Sequence, residues 1–592
     1  MRAGTAGNGG VTMLDDLDES VLLYDATVRR WLRFRRPHQV FIAQTPAEIP
    51  ALLRMIESRV KNERRWAAGF LGYEAAPAFD AAFAVHGDTS FPCLWFGLFD
   101  EPVEADLSGL PADGCPALDW QPSVDPGQYC DAVRRVKDYI AAGDIYQANY
   151  TLRLRAPFEG DPLALFRRIT HPDSPGYGAL VCAGDWALCS ASPELFFMRQ
   201  GDRVVSRPMK GTARRGPEYH ADLAQAEWLQ RSGKNRAENV MITDMVRHDM
   251  GRIADAGRVV TPRLFDIEKY PTVWQMTSTV VCRTAATTAE ILGALFPASS
   301  ITGAPKVRAM QVIRELEPSP RRIYTGSIGF LAPDGRAQFN VAIRTVLVDR
   351  KKRMAEYGVG GGIVWDSDAG SEFRECCAKA QVLTQETPTF DLLETLRWAP
   401  EEGWVLLERH LARLQRSADY FGWPLDEAAV RGELAQQAQT FPAQSMRVRL
   451  CVACGGEVKI EAVVLPTISP VIRVRLAAQP VDSADLFLHH KTTHRVVYRK
   501  AMETAAGAGD VLLWNERGEI TESTIANVVV DLDGRRYTPP LRCGLLAGCY
   551  REHLLQSGQV SEKVLKIDDV KRAAAVYLVN SVRGMQRAVL DL

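Results

Sequence analysis

Along the first 380 residues apolar and polar positions follow two rhythms. Stretches such as FNVAIRTVLVD alternate with period two and predict strands, whereas DAVRRVKDYIAAG repeats its apolar residues at helical spacing. The two patterns mix without a regular strand-helix-strand order, which predicts a large mixed α/β domain. In RAENVMITDMVRHDMGRIA, Met241, Ile242, Met245, Val246, Met250 and Ile253 fall on one helical face. Near VLTQETPTF the helix that begins around Ser371 stops, a proline follows and a strand, DLLETLRW, starts. The boundary is placed there, dividing residues 1–385 from 386–592. The second stretch opens with a helix, LERHLARLQRSADYFG, and continues through strands and a histidine-rich loop. It ends in DVLLWNERGEITESTIANVVVDLDGRRYTP, strands turning at ERG and LDG, so a second, smaller α/β domain is expected.

A chain of 592 residues is long enough for two cores. Its net charge of -1 offers no electrostatic case for nucleic acid or an anionic membrane, so small molecules are the expected ligands. MRAGTAGNGGVTMLDDLDES holds no apolar core of signal-peptide length and no apolar run reaches membrane-spanning length, which leads to the expectation of a cytoplasmic enzyme. Twelve scattered cysteines suggest reduced thiols rather than a disulfide framework. The CVAC at Cys451 to Cys454 has no second pair at zinc spacing and reads as a strand with small buried thiols.

Lys210 stands in SRPMKGTARRG, close to Arg207, Arg214 and Arg215. That is either a solvated charge cluster or a lysine whose ammonium is disfavoured by cations, leaving a nucleophilic amine. Glu238 lies four residues before Ile242 and seven before Met245, on the apolar face of its helix. A lone carboxylate there needs a cation, and a metal would serve. In SEFRECCAKAQ, Glu372, Glu375 and Lys379 share one side, as a solvated face or as ligands. Upstream, EYGVGGGIVWDSD interrupts a strand with Gly358, Gly360, Gly361 and Gly362, which lets a ligand approach the backbone. Carboxylates beside such a strand suggest magnesium holding an anionic substrate. Glu194 in SASPELFF precedes three apolar residues, a setting that raises a carboxyl pKa and suits it to donate a proton; a salt-bridged strand end is the plain alternative.

Taken in order, SRPMKGTARR, RAENVMITDMVRHDMGRIA, SSITGAPKVRAMQVIRELEP, YTGSIGFL, VAIRTVLV, GGGIVWDS and SEFRECCAKAQ resemble the chorismate-utilising enzymes over roughly residues 15 to 383, and most of all their aminodeoxychorismate synthase component I branch. The resemblance implies a chorismate-binding domain of β-sandwich and helices. It makes Lys210 the nucleophile that adds to the ring as the 4-hydroxyl leaves, and Glu194 the acid assisting that loss. Glu238 and Glu375 would bind magnesium, and Ser300, Tyr324, Arg344, Gly360 and Lys379 would hold the carboxylates of chorismate. Asn235 replaces an acidic residue usual in the family, Gln275 stands where many relatives carry histidine, and Met209 replaces isoleucine. The chain has no Gly-x-Cys-x-Gly elbow, so ammonia is expected from a separate glutamine amidotransferase subunit or from free ammonium.

In LFLHHKTTHRVVYRKAM, His490 and His494 are four apart and could chelate a metal on a helix, although the intervening threonines disfavour one. The other reading makes Lys491 a Schiff-base lysine, partly desolvated so that it is neutral. Glu522, at the end of a strand, could face a pyridinium nitrogen, while Arg413 and the GLLAGCYREHL turn, with Gly548 before a helix, could hold a phosphate. LLETLRW, HLARLQRSA, HKTTHR, ITESTIANVVV, TPPLRCGLLAGCYRE and VNSVRGM together resemble the fold-type IV pyridoxal phosphate enzymes, closest to their aminodeoxychorismate lyase branch. By that resemblance Lys491 carries the cofactor and moves the proton, Glu522 holds the ring nitrogen, Arg413, Ser581 and the backbone of Gly548, Cys549 and Tyr550 hold phosphate, and Arg583 meets a substrate carboxylate. The domain lacks the first strands of its free-standing relatives; the first domain or a second chain, as in a homodimer through this domain, would supply them. The expectation is a fusion making 4-aminobenzoate for folate. Its alternatives keep the first activity and make the second domain an amino-acid aminotransferase or a non-catalytic assembly module.

Overall fold

The computed structural model describes residues 18–107, 115, 117–170, 176–384, 388–467, 469–505 and 507–591. The chain divides into two compact units, Met1–Ala213 with Trp228–Thr387, and Arg214–Glu227 with Pro388–Leu592. Where the sequence suggests one division near residue 386, the structure adds a short stretch from the middle of the chain to the second unit.

The first unit holds two ten-stranded sheets. Val21, Leu23 and Phe34 of one meet Ala68, Phe70 and Phe99 of the other in a shared apolar layer, so the sheets form a sandwich. Helices cover both outer faces: Ile49–Glu63 and Gly233–Gly251 pack on one, Pro126–Ala141 and Ala369–Ala380 on the other. The helix Gly233–Gly251 starts where the Ser232 hydroxyl accepts from the Asn235 amide, and it buries Ile242, Val246 and Met250. Ile253 lies beyond its end. Gly358 to Gly362 belong to one unbroken strand, Met354–Ile363, paired antiparallel along Gln147–Pro157 with Gly362 opposite Asn149. A Cβ at Gly360 would stand 2.3 Å from the Tyr150 carbonyl oxygen and one at Gly358 2.1 Å from the Tyr324 ring, so these two glycines let the strands and rings close up.

Beside the strand Gln147–Pro157, which carries Thr151 and Arg153, lies a buried ionic group. Glu317 accepts from Arg321 at 2.6 and 3.0 Å and from Arg153 at 3.3 Å, and all three are at most 2% exposed. The backbone amide and hydroxyl of Thr151 donate to the same carboxylate at 3.0 and 2.7 Å. Two guanidinium ions are thus held in the interior by one carboxylate.

In the second unit a four-stranded sheet, with Leu392–Ala399 and Met446–Val452 adjacent, packs its apolar face on the helices Leu407–Phe421 and Glu427–Ala438. The following strands form an eight-stranded sheet in which pairing of Ile520–Ser523 with Asn527–Leu532 closes six strands into a barrel. Val474, Leu512, Ile520, Val528, Val530 and Leu578 cluster in its core. The helix Leu407–Phe421 is amphipathic and stops at Gly422, whose φ of 76° gives it a left-handed cap. Cys451 is half-buried and Cys454 exposed, contrary to the buried pair suggested by the strand pattern. Cys451 belongs to Met446–Val452, and Cys454 lies in the turn beyond that strand's end.

Glu317→Gln is expected to cost about 3–5 kcal/mol of first-unit stability, because it leaves buried guanidinium ions without their carboxylate. Denaturant unfolding of the variant and the parent checks this, and a loss below about 1 kcal/mol would show that the pair is not needed.

Candidate active sites

In the first unit the strand Met209–Arg214 carries Lys210 to a half-buried position. Its Nζ lies 3.4 Å from Asn149 Oδ1 and 3.5 Å from the Ser300 carbonyl oxygen. Asn149 donates to that same carbonyl at 2.9 Å, and Asn239 donates to the Lys210 carbonyl at 3.1 Å, which fixes the strand beside the helix Gly233–Gly251. The amine can come this close to the strand Met354–Ile363 because residue 362 is glycine. A Cβ there would stand 2.3 Å from Gln147 Nε2, 2.7 Å from Lys210 Nζ and 2.8 Å from Asn149 Oδ1. Gln147 is fully buried, and among the described residues its side-chain oxygen has no hydrogen-bond partner.

Burial pushes the Lys210 amine below the ordinary lysine range; the carboxylates of Glu238, Glu194 and Glu375 oppose this and Lys379 adds to it. The cations next to it in sequence are not the cause. Arg207 pairs with Glu268 and Arg215 with Asp222, so their charges are spent elsewhere. Glu194 is buried, and desolvation raises it to about 7 against the Ser300 hydroxyl, which donates to it at 2.6 Å, and the nearby Lys210. It is therefore not a salt-bridged strand end, and the Ser300 hydroxyl is engaged with Glu194.

Glu238 is half-buried on its helix, and Glu375 is exposed on the helix Ala369–Ala380, paired with Lys379 at 2.8 Å. Lys379 also donates to the Gly360 carbonyl at 2.9 Å. Glu372 points toward Gly361, and burial, with the charge of Glu375, raises its pKa. Among the described residues no group of three or more His, Cys, Asp or Glu is arranged to hold a metal. The carboxylates present suit a hard cation that keeps water and substrate oxygens as its other ligands. Tyr324 is buried against the glycine strand with Arg153 over its ring at 5.2 Å, and Arg344 is half-buried with a φ of 48°. Asn235 turns to the Ser232 hydroxyl at 2.9 Å, and Gln275 accepts from the Thr212 hydroxyl at 2.8 Å.

In the second unit Lys491 lies in the loop between the short helix Leu486–His489 and the helix Val496–Glu503. Burial first, then the cations Arg413 and Arg495, lower its pKa to about 8. Glu522 is buried and raised by desolvation to about 7, while the Tyr498 hydroxyl donates to it at 2.7 Å and Asn527 at 3.2 Å. Arg413, far from being a surface residue, is buried and donates from two nitrogens to Glu394 at 2.6 and 2.9 Å. Glu394 also meets His410 Nδ1 at 2.7 Å, and His410 Nε2 meets the Ser581 hydroxyl at 2.7 Å. Despite burial, the Glu394 charge raises His410 to about 9, so the imidazolium and guanidinium form a cationic pair on one carboxylate. Gly548 caps the helix Cys549–Gln556, and a Cβ there would stand 1.8 Å from Asn527 Oδ1. Arg583 is half-buried, its backbone amide donating to Asn580. His490 and His494 do not form a chelating pair: His490 Nδ1 bonds the Ser417 hydroxyl at 2.9 Å and the His494 ring lies 4.2 Å from that of Phe487.

The sequence reading passes over Asn149 and Gln147 in the first site, and over Glu394, His410, Arg495 and Tyr498 in the second. Glu394 did leave a signal, being the one acid within the strand Leu392–Ala399, and His410 lies one helical turn before Arg413. Asn149 and Gln147 are ordinary strand residues until the fold sets Lys210 beside them.

Comparison with known proteins places both units. The family model for chorismate binding enzyme matches residues 110–385, and that for Amino-transferase class IV matches residues 391–589. The chain is similar to aminodeoxychorismate synthase component 1 of Klebsiella aerogenes, 35% identical over 52% of this chain and 74% of that protein. It is 39% identical to the same component of Salmonella typhimurium over 43% of this chain and 56% of that protein, so the match spans little more than half of that relative's length. A solved structure of anthranilate synthase component I from Streptococcus pneumoniae, 24% identical, superposes with a TM-score of 0.52 over 64% of this chain and 95% of that one, and shares the fold of the first unit. The chain belongs to the chorismate binding enzyme family. Its mixed α/β architecture joins a chorismate-binding domain to a fold-type IV, aminotransferase-like one.

Because the Lys491 ammonium is disfavoured in the folded state, the unfolded chain binds more protons between about 8 and the ordinary 10.5, and stability rises with pH across that window. Lys491→Met, which removes the charge and keeps the bulk, is expected to raise the thermal midpoint of cofactor-free protein at pH 7, with the gain fading above pH 8 and gone by 10.5. Thermal unfolding of the variant and the parent across that range is the measurement; no gain at pH 7 would mean that the amine is hydrated.

Proposed function

We propose that this chain makes 4-aminobenzoate in two consecutive steps: the first unit converts chorismate and ammonia to 4-amino-4-deoxychorismate, and the second removes pyruvate from that product. The observation that carries the reading is the pairing of a desolvated amine, Lys210, with a buried carboxyl, Glu194, whose pKa of about 7 leaves it partly protonated at neutral pH. Burial shifts both groups toward their uncharged forms, which is the direction that addition of an amine and departure of a hydroxyl require. Lys210 Nζ bonds to the ring of chorismate while the bond from C4 to its hydroxyl oxygen breaks, and the oxygen leaves as water with the Glu194 proton. Ammonia then bonds at C4 as the Lys210 nitrogen departs with the ring electrons returning to their place, and the lysine is free again. Tyr324, Arg344, Lys379 and the Gly360 backbone are the groups for the substrate carboxylates, with Ser300 acting on Glu194. Glu238 and Glu375, both close enough to act on the Lys210 charge, would hold magnesium, which would neutralise a substrate carboxylate. A separate glutamine amidotransferase is the proposed ammonia source. Among the described residues no helix is long and apolar enough to cross a membrane.

For the second unit pyridoxal phosphate fits the residues present: Lys491 with its pKa lowered to about 8, a buried acid at Glu522 and a cationic corner of Arg413 and His410 beside Ser581 and the helix start at Gly548. When bound, it would serve as an electron sink for the carbon next to the substrate amine. Glu522, held by Tyr498 and Asn527, would offer its carboxylate to the protonated ring nitrogen, and Arg413 and Ser581, the latter backed by His410, would hold the phosphate. Lys491 takes the ring proton at C4, the bond from C3 to the enol oxygen breaks as the ring becomes aromatic, and the proton passes to the enol methylene so that the group leaves as pyruvate. The match to class IV amino-transferases favours a second reading, transfer of the amine to an oxo acid.

Product analysis with chorismate, ammonium, magnesium and pyridoxal phosphate, each omitted in turn, tests the scheme. Pyruvate with 4-aminobenzoate supports it, whereas amino transfer without pyruvate selects the second reading. Lys210→Ala is expected to abolish aminodeoxychorismate formation, and unchanged turnover would contradict the covalent route. Glu194→Gln is expected to slow the first step about 10²–10⁴-fold and to remove the decline in rate above about pH 7, as read from pH profiles at saturating chorismate.

A further inference from the structure

The family model for the second domain begins at residue 391, yet Arg214–Glu227 belongs to the second unit. This stretch follows directly on the strand Met209–Arg214 and turns at Gly216, where a Cβ would stand 2.4 Å from the Asp222 nitrogen. The turn folds Arg215 onto Asp222, with Nε donating at 2.6 Å and a terminal nitrogen at 2.7 Å, and both side chains are more than nine-tenths buried. The same guanidinium donates to the Tyr420 carbonyl at 2.8 Å and lies 4.2 Å from the centre of the Tyr420 ring. Tyr420 and Phe421, at the end of the helix Leu407–Phe421, set their rings 4.3 and 5.0 Å from that of His490. The Pro217 carbonyl faces the His490 ring, and Ser417 bonds its Nδ1.

His490 is the residue before Lys491. On the other side of the lysine the backbone is fastened to the strand Leu392–Ala399: Leu393 donates to the Lys491 carbonyl at 2.9 Å, and Thr493 donates to that of Asp391 at 2.9 Å. The lysine is thus held at two points, and one of them rests on the Arg214–Glu227 stretch. The helix gripped by Arg215 at its last turn also carries His410 and Arg413 near its start.

We propose that Arg215, locked by Asp222, is a positioning residue of the second active site: through Tyr420 and His490 it fixes the backbone of Lys491, and through the helix Leu407–Phe421 it sets the phosphate-holding corner, so that the site is completed by chain lying outside its own domain sequence. This rests on the reading of Lys491 as the cofactor lysine. A guanidinium is needed because it must pair in two places with a carboxylate, lie over a ring and still donate to a carbonyl, which an ammonium cannot do together.

The test titrates cofactor-free, full-length protein with pyridoxal phosphate, following the visible band of the bound cofactor and its affinity, in the parent and in Lys491→Ala, Arg215→Ala and Arg215→Lys. Loss of the band in Lys491→Ala supports the underlying reading; a parent that shows no band sinks that reading and this one with it. Arg215→Ala is expected to bind the cofactor about tenfold or more weaker, as befits loss of charge-assisted hydrogen bonds, with the band shifted or broadened. Arg215→Lys is expected to fall between. If the parent shows the band and Arg215→Ala binds within twofold of it, the proposal is overturned. Should Arg215→Ala fail to fold, Arg215→Lys decides: parental affinity and band in that variant refute a role for the guanidinium, and weakened binding with a shifted band supports it.

Discussion

Desolvation of lysine is the constraint on which both sites depend. In water an amine of this kind is almost wholly protonated and carries no lone pair for bond formation. Burial in the fold lowers the pKa of Lys210 and of Lys491, so that each gives up its proton more easily than in water, and the supporting cations come from other elements, Lys379 for one and Arg413 with Arg495 for the other. The same burial acts with opposite effect on the acids. Glu194 and Glu522 both rise to about 7, so each site pairs an amine that readily loses its proton with an acid that readily keeps one.

Such burial is tolerable only where the remaining charges are matched. Glu317 holds two arginines in the first unit, and Glu394 holds Arg413 and His410 in the second. In each case one carboxylate carries two cations in a buried patch. In the second unit that patch is where an anionic phosphate would be expected to settle, and its cost before cofactor binding is a reason for Arg413 to be anchored through a fork rather than a single contact.

Space is the second requirement, and glycine provides it. Gly362 lets the Lys210 amine come close to its strand, and Gly548 lets the Asn527 amide come up against the start of the helix Cys549–Gln556. Neither position needs a left-handed backbone; each needs the absence of a Cβ.

Much of this architecture was visible in linear order. A proline break marked the strand Leu392–Ala399 and helical spacing the helix Pro126–Ala141, and the placing of Lys210, Glu194, Glu238 and Glu375, or of Arg413, Lys491 and Glu522, suggested two chemistries. These follow from local composition, because an amphipathic period and an acid set among apolar residues are properties of neighbouring positions. Which charges face which amine is not. Arg207 and Arg215 flank Lys210 in sequence but are neutralised by Glu268 and Asp222, while Lys379, distant in the chain, reaches toward it. Likewise, residues 214–227 carry no mark of the unit they join. Periodicity records only whether a side chain is buried; the partner it is buried against is set when the sheets pack, and that decided the pKa of each lysine and the membership of each site.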